Sequence, residues 1–351
     1  MQYLKSKNYN FFILWQNNTC MQKNKKEVDE KMDNFVRKRT DLALEVHEIN
    51  SEKGRADGVI VGESEIEGVM ITTAEVKEGE GENLTGKAAG IYTTVDIGRV
   101  WQYDSERFNK TARVLSGVLD KLLPPPQEEK CVLIAGLGNE DITPDSIGPK
   151  VVTRVIVTRH IRALNRELYD SIGFGSLAAI SPGVLGQTGI ESAEIIKSVA
   201  DKVAPYCIIL IDALASRKLS RLATTVQLSD TGIRPGAGVA NNRAEMNEQS
   251  LGVPVVSIGV PTVVDAATLA YDLLEELAAD SNIKTGENAQ RFEEVYDKII
   301  DKLMSGSGRS MFITPKESDV ITRETARLIA TAINLSLHKG IDIKDMGEYL
   351  T

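Results

Sequence analysis

Two aspartates lie at or just after the ends of predicted buried strands. Asp145 is in the loop that follows the apolar segment at 131–137, and Asp212 ends the apolar run CIILID at 207–212. Because the carboxyl ends of parallel strands open at one edge of a sheet, we expect both carboxylates at that edge. Burial and a neighbouring like charge raise carboxyl pKa values, so such a pair is able to share one proton and activate a water molecule. The sequence therefore indicates hydrolysis by a carboxylate pair, with helix capping as the alternative role of each aspartate alone.

Other catalytic patterns are weak in this sequence. It has no G-x-S-x-G motif, so the usual local sign of a serine nucleophile is lacking. His47, His160 and His338 lie far apart, and none has a cysteine or histidine neighbour at zinc-ligand spacing. The loop GLGN at 136–139 lacks the third glycine of a dinucleotide-binding motif, and the acids after it would repel a phosphate. We therefore expect no cofactor and no preformed histidine-rich metal site.

Asp265 is a third acid between a predicted strand and a predicted helix. Its spacing to Thr268 favours a helix cap, and we also consider Asp265 for substrate binding. The loops at 181–189 and 234–243 are rich in glycine and asparagine, which adopt the backbone angles of a shaped groove or of ordinary turns. We expect these two loops to line a substrate groove.

Composition limits the partners of the chain. It has 351 residues, is 42% hydrophobic and carries a formal net charge of -9, so a substantial core is available and nucleic acid or an anionic membrane would gain no electrostatic help. The apolar stretch FFILW at 11–15 is far shorter than the roughly 20 residues that span a bilayer. Three widely spaced cysteines are typical of a reducing compartment, so we expect a cytoplasmic protein.

The order of predicted elements defines an α/β fold. Residues 57–98 alternate apolar and polar residues between glycines, as in strands, and helices are expected at 104–123 and 147–165. Beyond residue 126, apolar strands alternate with helices, which predicts a mostly parallel sheet covered by helices, with additional N-terminal strands. Residues 281–310 are polar at both ends and are predicted to form an exposed insertion.

Several long motifs resemble one known family, the germination protease of spore-forming bacteria. The resemblance runs from about residue 33 to the C-terminus. It is carried by the segments RTDLALE at 39–45, GLGNEDITPDSIGP at 136–149, SPGVLGQTG at 181–189, IDALASRKLSRLATTVQLSDTGIRPGAGVANNR at 211–243 and SIGVPTVVDA at 257–266.

The resemblance implies a fold, an activity and a pair of catalytic residues. The family has an α/β core similar to that of hydrogenase maturation proteases, and its proposed catalytic aspartates match Asp145 and Asp212. It implies an endopeptidase that starts the degradation of small acid-soluble spore proteins in the spore core during germination. The resemblance also implies a homotetramer.

The same resemblance implies a zymogen that removes its own propeptide. Family cleavage sites have an acid before the cut and an apolar residue and then alanine after it, a pattern that Asp41, Leu42 and Ala43 fit. We therefore expect a leader at 1–41, of which 1–31 is explained equally well by a misassigned start, and a single peptidase domain at 42–351. The resemblance implies that substrates tend to carry another acid a few residues before the cut, whereas here the basic segment VRKRT precedes Asp41. We therefore expect self-processing to be slow or to depend on positioning by the fold.

Two other functions stay open from the sequence. The same acids would form a hard-cation site in a metal-dependent peptidase, as oxygen ligands do. A non-catalytic module that binds basic segments of spore proteins is the second alternative. Arg234 and Arg243 are candidate partners for the acid that precedes the cut, with ordinary surface arginines as the alternative reading.

Overall fold

The described part of the chain forms one mixed sheet with helices against it. The computed structural model describes residues 40–52, 58–127, 129–234, 244–266, 268–270, 273, 295, 298–299 and 311–344. The strands of this part are β1 Val59–Ile66, β2 Val69–Val76, β3 Gly90–Asp96, β4 Val132–Gly136, β5 Leu177–Ile180, β6 Cys207–Ser216, β7 Thr225–Ser229, β8 Val255–Asp265 and β9 Phe312–Ile313. Their order in the sheet is β1-β2-β3-β7-β8-β6-β4-β5, and β9 pairs with β8.

The sheet has a parallel centre and an antiparallel extension. Strands β5, β4, β6 and β8 are parallel neighbours. Strand β7 runs antiparallel to β8 and joins the antiparallel meander of β1, β2 and β3 to the centre. The predicted α/β class and the additional N-terminal strands are confirmed, and the predicted parallel order holds for the four central strands.

Helices cover the sheet, and three short 3-10 helices lie in its loops. The helices are α1 Ala43–Glu52, α2 Glu80–Thr85, α3 Ser105–Leu122, α4 Ile147–Val152, α5 Arg159–Leu164, α6 Arg166–Ile172, α7 Leu185–Thr188, α8 Ser192–Val203, α9 Glu248–Leu251 and α10 Ser318–Leu337. The 3-10 helices are Val100–Gln102, Thr143–Asp145 and Leu219–Arg221. No helix in the described ranges is long and apolar enough to cross a membrane.

Alternate residues of the central strands enter two different cores, as burial on both faces of a parallel sheet requires. Val132 and Ile134 belong to the core formed with α3, α4 and α10. Leu133 and Ala135 belong to the core on the other face, against α8 and α9. This two-sided burial explains why β4 and β6 read as uninterrupted apolar runs.

One predicted helix was wrong. The segment predicted as a single helix at 147–165 is divided into α4 and α5, because backbone donors between them have tertiary partners. The Ile156 N–H donates to Asn334 Oδ1 at 2.9 Å, and the Thr158 N–H donates to the Leu177 carbonyl at 3.0 Å. By contrast, the helix predicted at 104–123 is confirmed as α3, with Asp104 accepting from the Arg107 N–H at 2.8 Å as its N-cap.

Glycines allow β4, β6 and α4 to touch through their backbones. A Cβ added at Gly148 would lie 2.3 Å from the Leu137 carbonyl oxygen and 2.7 Å from that of Ile211. Gly136 packs against the Gly148 carbonyl in the same way. No side chain fits at these positions without moving the elements apart.

We expect Gly148→Ala to destabilise the fold by about 3 kcal/mol or more, because backbone atoms rather than a flexible side chain oppose the new methyl group. Gly117→Ala is the matched control, since Gly117 is exposed within α3 with open space around it. That control should stabilise the fold by about 0.5–1 kcal/mol. Urea unfolding measures both values, and equal stabilities of the two variants would contradict the close contact.

His338 makes the fold sensitive to acid. It is fully buried at the end of α10, its Nε2 bonds to the Ile156 carbonyl at 2.9 Å, and burial lowers the pKa of its imidazole to about 4. In the unfolded chain the pKa is about 6.5, so unfolded molecules bind more protons between these values. Stability is therefore lost as the pH falls from about 6.5 to about 4, by about 3 kcal/mol in total.

We expect His338→Gln to flatten the pH dependence of the unfolding free energy between about pH 6.5 and 4. The control is His160→Gln, at an exposed position of α5, which should leave the wild-type slope unchanged. Urea titrations across this pH range test the difference, and a wild-type slope in His338→Gln would assign the acid sensitivity to other groups.

Candidate active site

Asp145 is held at the edge of the sheet by a tight loop. It ends the 3-10 helix Thr143–Asp145, and its Oδ2 accepts a hydrogen bond from the Asn139 N–H at 2.8 Å. Gly138, with φ +112°, makes this approach possible, since a Cβ there would lie 1.9 Å from the Asp145 carbonyl oxygen. The loop therefore fixes both the backbone and the carboxylate of Asp145.

Asp212 lies within β6 and is only 7% exposed. Its Oδ1 accepts from the Ala213 N–H at 2.9 Å, and the residue is in register with Gly259 of β8. The register between β6 and β8 shifts just beyond this point, between Leu214 and Ala215. Such irregularities redirect a strand and are frequent next to active sites.

The two aspartates open into one cavity of about 360 Å³. The two aspartates thus share a cavity, but Asp212 does not end its strand as the sequence predicts, since β6 continues to Ser216. The apolar walls of the cavity come from the ends of β4, β6 and β8 and from β9, among them Leu137, Leu214 and Phe312. Asp41 also lines this cavity, so the segment that precedes α1 reaches the same cavity as the two aspartates.

Asp41 is docked against β6 where β4 no longer covers it, since the pairing of β4 with β6 ends at Ile211. The Asp41 N–H donates to the Ala215 carbonyl at 2.9 Å, and the Ala215 N–H donates to Asp41 Oδ2 at 2.9 Å. Leu42, the next residue, is fully buried. Backbone and side chain of Asp41 thus bind the same residue of β6.

Two side chains donate to the carbonyl oxygen of Asp41. Lys87 Nζ lies 3.0 Å from that oxygen and Gln227 Nε2 lies 3.4 Å from it. Gln227 Oε1 accepts from the Ala43 N–H at 2.8 Å. Burial holds the pKa of Lys87 below its usual value, although the Asp41 carboxylate partly opposes that shift. The side chain of Gln227 therefore contacts the backbone on both sides of Leu42, at the Asp41 carbonyl and at the Ala43 N–H.

Glu45 anchors the first turn of α1 behind this segment. It is 1% exposed and accepts from the backbone N–H groups of Arg217 at 2.6 Å and Lys218 at 3.0 Å. Its carboxylate also pairs with the Arg221 guanidinium at 3.4 Å and accepts from the Thr40 hydroxyl. The segment at 40–45 is thus fixed to the turn between β6 and β7.

Glu48 adds a second ion pair to that anchor. It accepts from both terminal nitrogens of Arg221 and pairs with Lys218 at 2.8 Å. Burial raises the pKa of Glu48, but the hydrogen bonds from Arg221 and Lys218 outweigh burial and leave the pKa below its ordinary value. The helix therefore docks through two carboxylates on one face of its first two turns, and both pair with Arg221.

The other predicted site residues have different surroundings. Arg234 lines a second cavity of about 390 Å³ together with Asp41 and Lys87, and it pairs with Glu245 at 3.3 Å. Asp265 is fully buried and accepts from both the Thr268 N–H and its hydroxyl, which is the N-cap contact that its spacing predicts. Its proposed part in substrate binding gains no support from this geometry. Arg243 lies outside the described residues.

Sequence reasoning missed Lys87 and Gln227. Lys87 lies in the short loop between α2 and β3, and Gln227 has the sequence pattern of an ordinary polar residue of β7. Their relation to Asp41 exists only in three dimensions, so no local pattern identifies them. In the part of the chain that the structure describes, no three His, Cys, Asp or Glu side chains are grouped to hold a metal ion.

A pair of carboxylates in a cavity at the carboxyl edge of an α/β sheet defines a site suited to hydrolysis. Residues 37–290 match the family model described as germination protease. The chain belongs to the germination protease family and is therefore a peptidase. It is 41% identical to the germination proteases of Clostridium perfringens and Caldanaerobacter subterraneus subsp. tengcongensis, over 89% of this chain and 98% of each relative. The germination protease of a Geobacillus species is 34% identical over the same share of this chain and 96% of the relative.

Among solved structures, the chain is similar to a [NiFe] hydrogenase maturation protease from Thermococcus kodakarensis. The identity is 15%, the TM-score is 0.27, and the match covers 53% of this chain and 99% of the other.

Replacing Glu45 tests the anchor of the N-terminal segment. We expect Glu45→Ala to destabilise the fold by about 3 kcal/mol, because two buried N–H groups and part of the Arg221 charge lose their acceptor. Glu106→Gln is the control, since Glu106 pairs with Lys110 on the exposed face of α3, and it should change stability far less. Urea unfolding compares them, and a neutral Glu45→Ala would show that the segment is not held by this residue.

Proposed function

We propose that this chain is a self-processing endopeptidase in which Asp145 and Asp212 activate a water molecule. The bond cut first is the one between Asp41 and Leu42, and small acid-soluble spore proteins are cut next, during germination. One observation carries the proposal: Asp41, the residue before the expected cut, lines the same cavity as Asp145 and Asp212.

The carboxylate pair supplies acid and base in this reaction. One carboxylate accepts a proton from water, the water oxygen bonds to the carbonyl carbon of Asp41, and the other carboxyl group gives a proton to the leaving nitrogen of Leu42. The carbon–nitrogen bond then breaks. The reaction needs no covalent intermediate, which agrees with the lack of a serine or cysteine nucleophile motif.

Docking of Asp41 supports a preference for an acid before the cut. Its carboxylate accepts from the Ala215 N–H, and the positive charges of Lys87 and Arg234 line the neighbouring cavity. A carboxylate gains more from such donors than a neutral side chain does. The basic residues that precede Asp41 are compatible with self-processing because Glu45 and Ala215 position the segment through the fold. The sequence left two possibilities, slow self-processing or positioning of the segment by the fold, and we propose positioning by the fold.

Family membership supports the biological setting of this proposal. The relatives are germination proteases, so we place the activity in the cytoplasm of the forespore and the spore core, with the chain made as a zymogen that assembles into a homotetramer. The leader at 1–41 would be the removed part and 42–351 the mature enzyme. The segment at 281–310 stays a predicted insertion, since it lies almost wholly outside the described residues.

Two variants test the carboxylate pair. We expect Asp145→Asn and Asp212→Asn to slow self-processing by roughly 10³-fold or more, because the amide cannot accept or donate the proton although it keeps the size of the side chain. Glu140→Gln is the matched control in the same loop, at an exposed position, and should process at the wild-type rate. Intact mass and N-terminal sequencing of the full chain over time measure the reaction.

Three outcomes separate this proposal from its rivals. A new N-terminus at Leu42 that forms equally in the presence of a chelator supports the carboxylate mechanism. Loss of cutting with chelator and recovery with one divalent metal would favour a metal-dependent peptidase instead. A wild-type chain that binds spore proteins stoichiometrically and produces no new termini would favour the binding module. Self-processing at the wild-type rate in either aspartate variant would exclude Asp145 and Asp212 as the catalytic pair.

A further inference from the structure

We propose that Lys87 and Gln227 stabilise the oxyanion that forms on the carbonyl oxygen of Asp41, and that they receive the corresponding oxygen of an acidic residue in a protein substrate. This inference rests on the proposed function, because it takes the bond between Asp41 and Leu42 as the one that is cut. The inference adds an oxyanion-binding group, Lys87 and Gln227, to the carboxylate pair. Neither residue belongs to a motif identified from the sequence.

The distances fit this role. Donors to a developing oxyanion lie about 2.7–3.1 Å from the oxygen, and Lys87 Nζ is 3.0 Å from the Asp41 carbonyl oxygen. Gln227 Nε2 is 3.4 Å away, close enough to tighten as charge develops. The Gln227 side chain is oriented by the Ala43 N–H, which donates to its Oε1 at 2.8 Å. Both donors are therefore positioned before the reaction begins.

The two cavities divide the chemistry between them. Asp145 and Asp212 line the first cavity, Lys87 and Gln227 line the second, and Asp41 lines both. Water activated in the first cavity would reach the carbonyl carbon of Asp41, while the carbonyl oxygen is bound from the second. An electrophile held between a base and a cationic donor is the arrangement that addition to a carbonyl requires.

The positive charge of Lys87 offsets the negative charge that forms during the reaction. Addition of water places a negative charge on the Asp41 oxygen, and the two cavities that Asp41 lines already contain several acids: Asp41, Glu82, Asp145, Glu191, Asp212 and Glu245. Among the described residues that line the two cavities, the cationic side chains are Lys87 and Arg234, and Arg234 is paired with Glu245. Lys87 is thus the cation that contacts the reacting oxygen and offsets the added charge.

The chemical step is ordinary hydrolysis. The water oxygen bonds to the carbonyl carbon, its proton passes to a carboxylate, and the electron pair of the carbonyl π bond moves to the oxygen held by Lys87 and Gln227. That pair returns as the carbon–nitrogen bond breaks, and the Leu42 nitrogen leaves with a proton from the carboxyl pair. Lys87 keeps its protons throughout, since its role is electrostatic.

The test uses the full chain and measures the first-order rate at which Leu42 becomes the N-terminus. We expect Lys87→Ala to slow this rate by about 10²–10³-fold, the usual effect of removing one oxyanion donor. Ethylammonium chloride should raise the processing rate of Lys87→Ala at least tenfold, because the amine fills the space left in the second cavity. Sodium chloride at equal ionic strength should not raise that rate. Lys87→Arg, which keeps a cationic donor, should process faster than Lys87→Ala.

A second measurement separates catalysis from positioning. The Asp41 N–H donates to the Ala215 carbonyl, so hydrogen exchange at the Asp41 amide reports whether the segment is docked. We expect the exchange rate of the Asp41 amide in Lys87→Ala to stay within threefold of its rate in Asp145→Asn, a variant that also keeps its propeptide. Loss of this protection in Lys87→Ala would show that Lys87 only positions the segment, and would overturn the proposal.

The remaining outcomes are equally decisive. Processing of Lys87→Ala within threefold of wild type would overturn this inference and leave the proposed function intact. A slow rate that neither ethylammonium nor Lys87→Arg improves would also overturn it. If Lys87→Ala does not fold, Lys87→Ser carries the same amine series, because its small side chain also leaves space for the amine. A wild-type chain that never cuts between Asp41 and Leu42 would instead overturn the proposed function, and the inference with it.

Discussion

Backbone atoms of β4, β6 and α4 lie in direct contact, and this contact determines where the carboxylates are. Gly136 and Gly148 leave no room for a side chain between these elements, and the Leu137 N–H donates to the Ile211 carbonyl at 2.8 Å. The loop from β4 to α4 must therefore turn sharply at the edge of the sheet. Asp145 lies at the end of that loop and Asp212 directly after Ile211, so a local steric constraint brings two distant parts of the sequence to one cavity.

The same constraint creates a place for the N-terminal segment. Strand β4 ends beside Ile211, whereas β6 continues to Ser216, so the last residues of β6 keep backbone groups that β4 does not use. Ala215 gives both its N–H and its carbonyl to Asp41. Binding of an extended chain to an open strand edge is independent of most side chains, and under the proposed function this would suit a peptidase that accepts both its own segment and other proteins.

Much of this architecture could be predicted from local sequence, and the rest could not, for physical reasons. Uninterrupted apolar runs identified β4, β6 and β8, because burial on both faces removes polar positions. The direction of β7 depends on its partners, which periodicity does not reveal. The helix predicted at 147–165 was wrong since Asn334, far along the chain, accepts the hydrogen bond of Ile156. Lys87 and Gln227 likewise gain their relation to Asp41 only through the antiparallel extension of the sheet.

The two sides of the bond between Asp41 and Leu42 are held with unequal strength, and this asymmetry bears on product release. Leu42 is buried and α1 is fixed by Glu45 and Glu48, whereas Asp41 is held by hydrogen bonds at the cavity wall and by the contact of Thr40 with Glu45. Under the proposed function, hydrolysis would add a new carboxylate to a cavity that four acidic residues already line. Repulsion between these charges would expel the leader side, while the anchored side stays and keeps the substrate cavity in place.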